Sequence, residues 1–139
     1  MKTTLVFLIS TILFSCNSKK EVNEKTIQNT NRVWMLTEFL DFKKEDLIKK
    51  EAQLDLRDSI RATAKMGCNS LSFTYKIKKE FKITFSSGIS TMMACEDMQL
   101  EDKFSTSITK ITSYKIEGHT LTLLNEAQEK MVFVAQDWD

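Results

Sequence analysis

Residues 62–77 read Ala62-Thr63-Ala64-Lys65-Met66-Gly67-Cys68-Asn69-Ser70-Leu71-Ser72-Phe73-Thr74-Tyr75-Lys76-Ile77. Two alternating apolar runs meet in this stretch. Ala62, Ala64 and Met66 repeat at every second position up to Gly67, and Leu71, Phe73, Tyr75 and Ile77 resume the period beyond Cys68-Asn69. A period of two puts successive side chains on opposite faces, so each run predicts a strand with one buried face, joined by a turn at the glycine and cysteine. Upstream, Leu54 and Leu56 alternate ahead of Arg57-Asp58-Ser59, which predicts a hairpin into the first run. Downstream, Lys78-Lys79-Glu80 turns the chain into Phe81, Ile83 and Phe85, and Ser86-Ser87-Gly88 breaks that strand before Ser90-Thr91-Met92-Met93-Ala94-Cys95.

Further out, Val33, Trp34, Met35, Leu36 and Phe39 predict a first strand over 32–39. Residues 41–51 are rich in Lys, Glu and Asp around Phe42, Leu47 and Ile48, and read equally as a short helix or a charged excursion. After Asp97 the period changes. Leu100, Phe104, Ile108 and Ile111 fall on one helical stripe, with Glu101, Asp102 and Lys103 outside it and Asp97 placed to cap. Tyr114, Ile116, Leu121 and Leu123 flank Glu117-Gly118-His119 as a hairpin, and a last strand runs from Met131 to Ala135. The sum is mostly antiparallel strands with one late helix and no βαβ rhythm.

At 139 residues the chain holds one ordinary domain. Lys and Arg number 20 against 19 Asp and Glu, so no net basic charge points to nucleic acid. Lys76, Lys78, Lys79 and Lys82 are interleaved with Glu80 and apolar residues, and read as a solvated strand face. With no proline and 3 glycines, the chain offers no glycine-rich phosphate cradle.

The amino terminus has a separate character. Lys2 precedes an apolar run from Leu5 to Phe14, long enough for a secretion signal and too short to span a membrane. Its end, Leu13-Phe14-Ser15-Cys16, resembles the lipobox of a bacterial lipoprotein signal. That resemblance implies a signal peptide over 1–15, cleavage before Cys16, and lipid on that cysteine. The polar stretch up to Asn31 predicts a flexible tether over 16–31, on the order of 20 Å in mean reach. Asn17 in place of an aspartate favours the outer membrane over the inner, with the domain in the periplasm or at the surface.

From residue 32 onward the chain resembles the META domain family, the family of the HslJ heat-shock lipoproteins. The resemblance rests on Trp34, Met66-Gly67-Cys68-Asn69, Tyr75, Thr91-Met92-Met93-Ala94-Cys95, Glu101 with Phe104, Tyr114, Gly118 and Leu121-Thr122-Leu123. Two departures stand out: Phe73 where the family usually has a glycine shortly before the tyrosine, and Glu96 where a proline often follows the second cysteine. The family implies an α+β domain over 32–139, a curled, mostly antiparallel, half-barrel-like sheet with one packed α-helix. It also implies links to stress response and envelope integrity, and no defining reaction.

If lipid takes Cys16, Cys68 and Cys95 remain as a pair. A structural disulfide is the favoured reading, beside two buried free thiols or a redox or nucleophilic role. The sole histidine, His119, lies in a predicted turn and supplies no evident base for a thiol, and no Cys-x-x-Cys is present. No metal or cofactor is expected. Trp34, Met92, Met93 and Met131 read as core fillers. The expected function is a noncatalytic lipid-anchored envelope protein that binds or stabilises another envelope component. The alternative is a carrier or pilotin-like chaperone holding an acyl chain or apolar peptide in the sheet's concavity, and a thiol redox protein comes third.

Overall fold

The computed structural model describes residues 30–138. The expected signal peptide, Cys16 and the tether through residue 29 lie outside them. Among the described residues the elements run β1 (Val33–Phe39), α1 (Lys44–Lys49), β2 (Gln53–Asp55), β3 (Arg61–Lys65), β4 (Ser70–Lys78), β5 (Lys82–Phe85), β6 (Ile89–Ser90), α2 (Gln99–Ile108), β7 (Ile111–Glu117), β8 (Thr120–Asn125) and β9 (Lys130–Ala135).

The half-barrel expectation needs correction, because the sheet closes. All strands but β6 form one antiparallel ring in the order β3-β2-β1-β9-β8-β7-β5-β4, and β4 returns to β3 from Arg61↔Thr74 to Lys65↔Ser70. The weakest seam is β5 to β7, where Lys82 pairs with Ser113 and the Tyr114 N–H donates to the Phe81 carbonyl at 2.9 Å. A barrel of about this size has an interior just wide enough for side chains to fill. Trp34, Leu36, Leu54, Ala62, Ala64, Leu71, Phe73, Ile83, Leu121, Leu123 and Phe133 fill it, all buried. The outward positions carry Arg61, Thr63, Thr74, Lys76, Lys78 and Lys115, the inverse of a lipid-facing barrel wall. Among the described residues, no helix is long and apolar enough to cross a membrane.

Strict antiparallel alternation gives the barrel two distinct ends. The start of β1, the β2–β3 link, the β4–β5 hairpin, the β7–β8 turn and the end of β9 share the entry end. The α1 excursion, the Met66–Asn69 turn, residues 86–98 and the β8–β9 turn share the far end. Both termini of α2 also lie at the far end, and the helix closes it. Phe104, fully buried, meets Phe39 of β1 edge-on at 6.2 Å and Phe73 of β4 at 6.4 Å.

The β5 and β6 strands pair along the same side of β4, with Tyr75↔Phe85 and then Ser72↔Ile89. They act as one strand interrupted at Ser86–Gly88. Gly88 is needed there, since a Cβ on it would stand 2.4 Å from the ring of Phe73. The aromatic that replaces the family's usual glycine thus lies over a glycine of the neighbouring strand.

Other expectations shift by a few positions. Residues 44–49 are helical rather than a charged excursion, with Leu47 turned into the core. Ile111 opens β7 instead of extending the helical stripe, because α2 ends at Ile108. Asp97 sits one residue before the N-cap position, Met98, and accepts the Gln99 N–H at 3.1 Å. The Gly118-His119 turn stands between paired Glu117 and Thr120, with Gly118 at φ 59, the left-handed conformation that a tight hairpin needs.

Two buried tyrosines separate hydrogen bonding from packing. Tyr75 donates to the Asp58 carbonyl at 2.7 Å and lies 3.2 Å from that of Leu56. The Tyr114 hydroxyl has no partner among the described residues. Burial raises both phenol pKa values, aided at Tyr75 by the charges of Asp58 and Asp55. In urea unfolding, Tyr75→Phe should lower stability by about 1–2 kcal/mol, while Tyr114→Phe should leave it unchanged or raise it. Equal losses at both positions would contradict this assignment.

Candidate functional site

The far end gathers most of the residues singled out from the sequence. Gly67 adopts φ 121 and lets the chain turn from β3 into β4. Cys68 and Cys95 are joined as a disulfide with their Cα atoms 6.3 Å apart, a separation within the usual range. Cys95 is exposed and Cys68 half-buried.

Asn69 organises the arrangement. Its buried side chain accepts from Thr91 Oγ1 at 2.7 Å and from the Met93 N–H at 2.8 Å, while its Nδ2 donates to the Met93 carbonyl at 3.2 Å. The amide therefore mimics a paired strand edge and fixes Thr91–Met93. Thr91 completes the tie by accepting the Ser70 N–H at 3.1 Å. Glu101, expected outside the helical stripe, is instead buried and accepts the Asn69 N–H at 2.8 Å through Oε2. Its partner lies 32 residues away, so helical spacing alone could not reveal the role. Its reappearance among the residues of the family resemblance was the available signal.

The pinned segment points outward. Met92 is 99% exposed and Met93 56%, which corrects their reading as core fillers. Trp34 and Met131 are buried. Trp34 lies in the barrel interior, its indole N–H donating to the Thr30 carbonyl at 2.9 Å, and Phe104 plugs the far end. Ala94 lies exposed on the loop between Met93 and Cys95.

Two depressions flank this loop. One, of about 630 Å³, lies between β6, the loop and α2, with Phe73, Ile89, Met92, Met93 and Glu101 among its walls. The other, of about 690 Å³, lies beside the disulfide, with Phe42, Lys50, Lys65 and Asp97. In it Lys50 meets Asp97 at 2.8 Å, and that hydrogen bond holds the Asp97 carboxyl below its usual range. No group of three or more His, Cys, Asp and Glu side chains suited to a metal occurs among the described residues. His119 lies at the opposite end of the barrel, ring to ring with Trp138 and 3.5 Å from Arg32, so it and the sulfurs do not form one site.

A family model described as the META domain matches residues 25–138. The chain belongs to the META domain family. Solved structures similar to this META domain share its fold at low identity. The NMR structure of a protein from Burkholderia xenovorans has a TM-score of 0.59 at 16% identity, covering 99% of this chain and 99% of that one. The crystal structure of a DUF4847 family protein from Bacteroides vulgatus has a TM-score of 0.56 at 9% identity, covering 79% and 95%. A further NMR structure has a TM-score of 0.56 at 16% identity, covering 79% and 93%. No curated protein matches the chain.

Proposed function

We propose that this META domain protein is a noncatalytic, lipid-anchored component of the cell envelope, tethered through Cys16 in the outer membrane. In this reading its far end binds and stabilises another envelope protein during stress. The observation that carries the proposal is a contrast. The barrel interior is filled by its own side chains, while Met92 and Met93 are held outside it by the Asn69 hydrogen bonds and the disulfide. Flexible, polarisable methionines on a fixed backbone suit protein contact. The filled interior argues against the carrier reading, which needs an open concavity. The bonded sulfurs, with no neighbouring histidine, give the thiol reading no nucleophile and base.

The test is a photo-crosslinking amino acid at Met92 in the full chain, expressed in cells and paired with metabolic acyl labelling of wild type and Cys16→Ser. The expected result is acyl label lost with Cys16→Ser and one recurrent envelope-protein adduct at position 92. Label that survives Cys16→Ser, or a lipidated, folded chain that gives no protein adduct, would overturn the proposal.

A further inference from the structure

The entry end carries a set of side chains that the far-end site does not use. Ile60 leads into β3, Phe81 sits in the β4–β5 hairpin, and Trp138 follows β9. They are 67%, 57% and 56% exposed, and three separate chain segments bring them to one end. Lys78, Lys79 and Lys82 stand beside Phe81 in the hairpin, all exposed and, among the described residues, none in an ion pair. Of the neighbouring cations, Arg57 is engaged by Asp55, Lys115 by Glu117 and Arg32 by Asp137, while Arg61 is in no ion pair among the described residues. The remaining acids near the face are Glu80, and Asp58, whose Oδ1 already accepts the Ile60 and Arg61 N–H groups.

The hairpin itself is unusual. Glu80 and Phe81 adopt φ 62 and 58 in succession, a conformation in which a bulky side chain is an outlier. Glycine would serve the turn with less strain; one edge of the Phe81 ring is used inside the fold, against Tyr114 at 5.9 Å, while more than half of the residue still faces solvent.

We infer that the entry end docks on the surface of an anionic phospholipid bilayer. Phe81, Ile60 and Trp138 enter the headgroup region, and Lys78, Lys79 and Lys82 meet the lipid phosphates. The inference rests on the proposed Cys16 anchor for one element, the nearness of the bilayer. The chain joins β1 at this same end, where Leu56 N–H donates to the Arg32 carbonyl and Gln136 N–H to that of Val33. Thr30, expected in the tether, is instead buried, and a tether of the length from Cys16 to Thr30 has a mean reach of about 20 Å. Docking by this end turns the Met92 loop away from the membrane.

The test uses the chain from Cys16 onward, since every core residue among the described residues lies between Trp34 and Ala135. With Cys68 and Cys95 bonded to each other, the Cys16 thiol is coupled to a maleimide lipid in vesicles of brominated phosphatidylglycerol or brominated phosphatidylcholine. The sequence has 2 tryptophans, and Trp34 is buried inside the barrel, so quenching reports Trp138. Strong quenching is expected in the anionic vesicles only. Each of Lys78→Glu, Lys79→Glu and Lys82→Glu should weaken the contact at least about five-fold, and the triple variant should abolish it. Phe81→Gly, which suits the φ of that position, should reduce quenching without loss of folding. Absent quenching, equal quenching in both lipids that the variants do not change, or preferential binding of a polynucleotide by the same lysines would overturn the inference. Chemical coupling supplies the anchor, so this result stands apart from acyl labelling of Cys16 in cells.

Discussion

Phe104→Ala should lower the unfolding free energy by about 3–5 kcal/mol. The ring is fully buried and touches aromatic rings on β1 and β4 at once. Removing it therefore leaves a cavity where the helix closes the barrel. The strands around it are tied into a ring by backbone hydrogen bonds and cannot collapse inward to fill the space. For a domain whose total stability is about 5–15 kcal/mol, the loss is a large share. Urea unfolding should show a lower midpoint at unchanged slope. A loss below about 1 kcal/mol would mean that α2 lies on the barrel without sealing it.

The second large effect belongs to the disulfide. Replacing Cys68 and Cys95 together by Ala should cost about 3.5 kcal/mol by the chain-entropy estimate, for a bond that closes a sequence separation of 27. Most of that arises in the unfolded chain, which gains freedom once the loop opens. In the folded state Asn69 still holds Thr91 and Met93, so the Met93 N–H should stay protected against hydrogen exchange relative to the unfolded chain. An unchanged unfolding midpoint would remove the stabilising role of the bond. Complete loss of protection at Met93 would show that the sulfurs, and not Asn69, position the loop.

These two effects mark the limits of what the amino-acid sequence reveals. Alternation along Leu71–Ile77 and Phe81–Phe85 exposes strands because each has one buried face. The stripe of Leu100, Phe104 and Ile108 exposes a helix for the same reason. Closure leaves no such trace: the β3–β4 and β5–β7 pairings are backbone contacts between segments whose side-chain pattern would look the same in an open sheet. α1 is too short to display a helical period, and β6 has two residues, both exposed. At the far end the cysteines and Asn69 were legible as a motif. Met92 was not, because composition assigns methionine to the interior unless a neighbouring group pins the backbone with the side chain outward.

Ring closure also bears on crowding. An open sheet presents a row of unpaired N–H and C=O groups at each border, where a second chain can add. Here the β3–β4 and β5–β7 seams consume most of those borders, and what remains among the described residues is short, such as the outer side of Ile89–Ser90 and the side of Lys76–Lys78 beyond β3. A border of that length offers too few hydrogen bonds to seed strand addition. Many copies can therefore be packed side by side at high local density without one barrel templating the misassembly of the next.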